Sequence, residues 1–117
     1  MEKTVTIDGK KVKFRASAAV PRLYRMRYKR DILMDMQRIQ DEMAKSKAKA
    51  SSMTVEALTL FESIAHIMAR HADPDHVPKE INDWLDGFGT FSIYQVFPVI
   101  QELWADNLKQ LNKPQKK

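Results

Sequence analysis

The chain has no cysteine among its 117 residues. That excludes disulfides, thiol nucleophiles and thiolate metal sites, and it fits a reducing compartment. Glycine occurs only three times, and neither GxxxxGK[ST] nor GxGxxG is present, so no glycine-rich phosphate cradle can be built. No apolar run approaches the ~20 residues of a membrane helix. The opening Met1-Glu2-Lys3-Thr4 carries no apolar stretch like that of a signal peptide. There is no GxSxG elbow, so a serine-nucleophile reading finds no support. The expectation is a soluble, cytosolic, non-enzymatic chain with no cofactor.

What is present is enough for one folded domain: 44% of residues are hydrophobic, too many for global disorder, and the length suits a single core. The net charge of +5 is unevenly spread. Residues 1–30 hold ten Lys/Arg and two acids, whereas residues 31–117 hold ten and thirteen. A basic N-terminal segment is therefore joined to a mildly acidic body.

Lys3–Ile7 and Lys11–Arg15 alternate polar and apolar residues around Asp8-Gly9, which predicts a hairpin over residues 3–15 with Gly9 at positive φ. Val5, Ile7, Val12 and Phe14 would share its buried face. Ser17 is the expected N-cap of a helix with Pro21 in its first turn. Val20, Leu23, Tyr24 and Tyr28 form one stripe, and Ile32, Met36, Ile39 and Met43, widened by Leu33, form a second. One helix over 18–46 and two helices joined near Lys29-Arg30-Asp31 both fit this pattern. Residues 45–52, KSKAKASS, read as a loop or frayed end, and Thr54 caps the next helix. That helix carries Leu58, Phe61, Ala65 and Met68, broadened by Leu60, Ile64 and Ile67, and should run to about Arg70 or His71.

Asp73-Pro74-Asp75 breaks the chain, and Pro78 suits the first turn of a short helix with Ile81, Trp84 and Leu85. Gly87 and Gly89 end it. Ser92 and Gln95 have the spacing of a capping box. Ile93, Val96, Phe97, Ile100, Leu103, Trp104, Leu108 and Leu111 then hold helical spacing, with Pro98 expected to kink the helix or delay its regular start. A flexible polar tail is expected over 112–117. The fold class is mainly α: four to five helices in one compact domain, residues 1–111, with a small N-terminal hairpin.

Three constellations invite a function. His66, His71, Asp73, Asp75 and His76 are a possible mixed ligand set, but Asp and Pro beside a helix end are ordinary turn chemistry, and no metal is assigned. Arg22, Arg25 and Lys29 share a basic helix face that suits phosphates or acidic protein surfaces. Trp84, Phe88, Phe91, Tyr94 and Phe97 are concentrated within fourteen residues, either filling the core or offering an apolar contact surface.

Three stretches together resemble the short tail assembly chaperones of long-tailed phages and prophages, especially those of Gram-positive hosts. They are the hairpin running into Ser17-Ala-Ala-Val-Pro-Arg-Leu-Tyr-Arg25, the Tyr28-Lys-Arg-Asp-Ile32 entry to a helix ending near Met43, and Trp84-Leu-Asp86 followed by Phe91-Ser-Ile-Tyr94 and Glu102-Leu-Trp104. The resemblance spans nearly the whole chain. It implies a non-structural protein of the host cytoplasm, absent from the mature virion, that coats the long helical tape measure protein before the tail tube forms around it. It also implies self-association into oligomers and a frameshifted longer form that recruits the major tail protein; Lys116-Lys117 is compatible with an A-rich slippery site. The matching residues are packing residues, so the resemblance carries over no binding site. On the residues alone, Trp84, Phe88, Phe91, Tyr94 and Phe97 are the candidate surface for the tape measure or a second copy. Arg22, Arg25 and Lys29 are the candidate face for acidic partners. The alternative is a small basic nucleic-acid-binding regulator.

Overall fold

The structure, a computed structural model, describes residues 1–49 and 53–112. Strands β1 (Glu2–Ile7) and β2 (Lys10–Arg15) pair antiparallel, with Val5 opposite Val12 and Ile7 opposite Lys10. Asp8 and Gly9 form the two-residue turn, with φ of 51° and 76°. Two consecutive positive φ values match the right-handed twist of the strands, and Gly9 meets that demand without steric cost. Ile7, Val12 and Phe14 are buried and Val5 is half-buried, so the alternation expected from the sequence holds.

Five helices follow: α1 (Ala19–Tyr28), α2 (Ile32–Lys49), α3 (Val55–Ala72), α4 (Ile81–Leu85) and α5 (Ile93–Asn112). Helix α3 is central. It is packed by β2, α1, α2, α4 and α5, and Leu60, Phe61, Ile64, Ala65, Ile67 and Met68 are all buried. Only a helix apolar round most of its circumference can serve as such a core. The hairpin lies across α3 through β2, and β1 reaches α5.

Residues 18–46 form two helices, not one. Lys29 ends α1 in the left-handed region (φ 58°, ψ 38°), its N–H bonded to the Arg25 carbonyl. Asp31 then opens α2, its Oδ1 accepting from the Leu33 N–H at 2.8 Å. The corner is fastened by Asp35, one of the few buried polar side chains. Tyr24 Oη donates to its Oδ2 at 2.7 Å, and Arg30 forks across both oxygens at 2.8 Å. Burial would by itself raise the Asp35 carboxyl, but the hydrogen bonds from Arg30 and Tyr24 outweigh it and hold the group below the usual aspartate value. Burial and the neighbouring carboxylate push the Tyr24 hydroxyl well above its ordinary range.

Several local expectations shift. Ser17 is not the cap residue: Ala18 holds that place without a side-chain bond, while the Ser17 hydroxyl accepts from the Ala19 N–H. Leu23 and Leu33 stand exposed rather than joining their stripes. Helix α2 runs on to Lys49 through the expected loop at 45–52, whose last three residues lie outside the described part. Pro78 precedes α4 by three residues and is not in its first turn. Gln95 does not reach back to Ser92; its side-chain amide donates to the Thr6 carbonyl of β1. Helix α5 continues through Pro98. The tail expected at 112–117 lies outside the described residues apart from Asn112, and so do the side chains of Leu108 and Leu111. Thr54 caps α3 as expected, accepting from the Ala57 N–H while its hydroxyl donates to Glu42.

The hairpin turn is clasped by the α4–α5 loop. Asp8 Oδ2 accepts from the Gly89 N–H at 2.7 Å, and Lys10 Nζ donates to the Gly87 carbonyl and lies 5.5 Å from the Phe88 ring centre. Lys3 pairs with Glu102 on α5.

Replacing Asp35 by Ala strands the buried Tyr24 hydroxyl while Arg30, half exposed, rehydrates. Urea unfolding at pH 7 should show a loss on the order of 2–3 kcal/mol. Because the folded-state carboxyl is depressed, this stabilisation is complete above the ordinary value of 3.8 and is lost as pH falls through the lower folded value. The difference between wild type and variant should therefore shrink on acidification, and a constant difference down to pH 2 would contradict the assignment.

Candidate partner-binding surface

The aromatic stretch of α4–α5 is largely interior. Trp84 and Phe97 are buried, and Trp84 packs edge-on against Phe88 (5.5 Å) and Phe91 (5.1 Å). Phe61 of α3 meets Phe91 at 5.4 Å and Phe97 at 6.2 Å. Tilted and T-shaped pairs at these separations are the favourable arrangements for aromatic rings. Phe88 and Phe91 are half-buried at the edge of the cluster, and Tyr94, 47% exposed, is the one ring of the five that faces outward. The stretch read from the sequence as a contact surface thus serves, at Trp84 and Phe97, to seat α4 and α5 on α3.

The histidines are dispersed. His66 is fully buried against Trp84, 5.4 Å between ring centres, and its Nε2 donates to the Pro78 carbonyl at 2.8 Å. The carbonyl can only accept, so the proton sits on Nε2. Burial holds this imidazole below its usual pKa, and it is neutral. His71 Nε2 lies 2.9 Å from the Ser17 hydroxyl. Exposed His76 pairs with Asp73, which pulls its pKa up. Among the described residues, no three His, Asp or Glu side chains converge as a metal site would require.

Arg22, Arg25 and Lys29 are all exposed on α1, as the spacing predicts. Arg25 and Lys29 border a cleft with Pro21, Arg30, Asp31, Ile32 and Leu33. Arg22, on the same helix face, lies one turn before Met26, which lines a different groove. That groove, of about 470 Å³, runs between α1 and α3 and is lined by Leu23, Met26, Arg27, Ile67, Arg70, His71 and Pro74. Leu23 is 41% exposed and Met26 57%, so two large apolar side chains face water at its α1 wall. Burial, Arg15 and the N-terminal amine hold His71 below its usual pKa, leaving it neutral at pH 7. No Asp or Glu is among the lining residues. On α2, Leu33 and Met34 are also exposed, Met34 at 71%.

The groove residues escaped the sequence reading because Leu23 was counted with the buried stripe. A signal was present. In Arg25-Met26-Arg27 an apolar residue sits between cations, off the stripe of Val20, Tyr24 and Tyr28. Together with Leu23 three residues before it, Met26 makes a contiguous apolar patch, which is the pattern that points to a contact.

Comparison with protein-family models, curated protein sequences and solved structures finds no match to this chain.

Trp84→Ala should behave as a core truncation and lower stability by about 3–5 kcal/mol in urea unfolding, whereas Tyr94→Ser should change it by less than about 1 kcal/mol. Equal costs at the two positions would contradict the placement of Trp84 inside.

Proposed function

We propose that this chain is a non-enzymatic assembly chaperone, of the phage tail kind it resembles, that binds the tape measure protein and keeps it soluble in the host cytoplasm. The observation that carries the reading is the exposed Leu23–Met26 wall of the α1–α3 groove, set beside Arg27 and Arg70, which have no carboxylate partner among the described residues. A long helix with unpaired apolar faces self-associates in water because burying those faces is favourable. A domain that offers a short apolar groove competes with that self-association. One such groove spans few residues and binds weakly, but many copies side by side on one long partner gain through effective concentration. Methionine suits the task, since its unbranched side chain adapts to varied apolar surfaces. Self-association of the coating copies and recruitment of the major tail protein through a longer form belong to the same proposal.

A second reading, a basic nucleic-acid-binding regulator, is favoured by the exposed Arg22, Arg25 and Lys29. Apolar residues interleaved with those cations suit a protein partner better than a phosphate backbone.

Co-expression with a fragment of the tape measure protein separates the two. The fragment should move from the pellet to the soluble fraction and co-purify with the chain, in complexes larger than a monomer by light scattering. A fragment that stays insoluble, with tight binding of the chain to duplex DNA at 150 mM salt, would establish the regulator instead.

A further inference from the structure

The α1–α3 groove carries more than an exposed apolar wall, because its charge is one-sided. Arg27 and Arg70 line it, and Arg22 precedes the lining residue Met26 by one turn of α1. Arg27 lies 5.6 Å from the Tyr28 ring centre, and neither Arg27 nor Arg22 has a carboxylate partner among the described residues. Arg70 spends one donor on the Val77 carbonyl, at 2.8 Å, which fixes its side chain beside the groove. Some exposed cations elsewhere do pair with carboxylates: Lys3 with Glu102, Arg38 with Glu42 and Glu56, Arg30 with Asp35. The groove thus sets an exposed apolar wall beside the guanidinium groups of Arg27 and Arg70, with no acidic side chain in its lining.

We propose that the α1–α3 groove docks an acidic amphipathic helix, whose apolar residues cover Leu23, Met26 and Ile67 while its flanking carboxylates meet Arg22, Arg27 and Arg70. The proposal deepens the chaperone reading and rests on it for taking the partner to be a protein helix. Geometry sets the size of the docked segment. Helix α1 has ten residues and is thus roughly 15 Å long. A helix lying along it presents two or three apolar side chains, at i, i+3 or i+4 and i+7. Guanidinium groups recognise carboxylates through paired N–H donors, so glutamate or aspartate beside those apolar positions adds orientation as well as attraction. Basic flanks on the same helix would be repelled by the same three groups. Specificity for acidic segments thus follows from like-charge exclusion as much as from attraction.

The test uses the full chain and two fluorescein-labelled 21-residue peptides with leucines at helical spacing, one with glutamate flanks and one with lysine flanks, read by anisotropy. The glutamate peptide should bind at least tenfold more tightly than the lysine peptide. Leu23→Ser with Met26→Ser should weaken the glutamate peptide at least tenfold. Arg22→Glu with Arg27→Glu should weaken it and tighten the lysine peptide; since this pair removes no buried packing, it decides the matter if the first pair fails to fold by circular dichroism. Equal binding of the two peptides, or binding that survives both double variants, would overturn the proposal. Loss on Leu33→Ser with Met34→Ser, with the groove variants unaffected, would also overturn it by placing the partner on α2. If the Leu23/Met26 variant still solubilises the tape measure fragment, the groove assignment falls and the chaperone reading stands. If wild type binds the glutamate peptide selectively but leaves the fragment insoluble, the chaperone reading falls and the groove assignment stands.

Discussion

The buried carboxylate of Asp35 holds the corner on which the helical arrangement turns. Without it, nothing local obliges α1 and α2 to separate at Lys29: the left-handed Lys29 backbone costs about 1 kcal/mol or more relative to a helical one, and the apolar stripes on either side are each compatible with one long helix. Asp35 changes the balance because it accepts three hydrogen bonds, one from Tyr24 on α1 and two from Arg30 in the corner. A buried carboxylate is expensive unless its oxygens are satisfied, and only the bent chain brings both donors to it. Once the bend is set, α1 crosses α3 instead of continuing along α2. The groove between α1 and α3 is a consequence of that crossing.

Legibility in the sequence followed the range of the interactions. The hairpin, the Thr54 cap and the period of α3 were readable because each is decided within a few residues by turn geometry, a hydroxyl or a helical repeat. The corner at Lys29–Asp31 is one of two readings that the sequence leaves open, because the choice depends on Asp35 and Tyr24 meeting across it. Gln95 illustrates the same limit: its spacing from Ser92 suits a capping box, yet a β1 carbonyl far away in sequence takes its amide. Pro78 likewise was judged by helix rules, while its position is governed by the His66 imidazole that binds its carbonyl.

The candidate site was legible in part. The exposure of Arg22, Arg25 and Lys29 follows from their offset from the Val20–Tyr24–Tyr28 stripe. The aromatic residues could not be sorted by type alone, since a ring in a core and a ring in an interface obey the same preferences; placement depends on which face α3 occupies. Leu23 shows the converse. It fits the apolar stripe by spacing, but lies at the stripe's margin, on the wall of the groove between α1 and α3. The basic N-terminal charge excess also has a physical meaning here. Part of it is matched across the fold by Glu102 of α5 and Asp35 of α2, and part, at Arg27, lies beside the exposed Leu23 and Met26.

The clasp between the hairpin and the α4–α5 region has a bearing on the order in which this protein is made. Its contacts join residues 77 to 99 positions apart. A two-stranded hairpin alone is marginal in water, so these strands have no surface to rest on until α3 and the α4–α5 loop, which follow them in the chain, are made. The hairpin thus precedes in synthesis every element that secures it, and α5 must emerge before the β1 edge is covered. Until then, a strand edge rich in lysine and threonine, rather than in large apolar residues, is what the nascent chain presents to its surroundings.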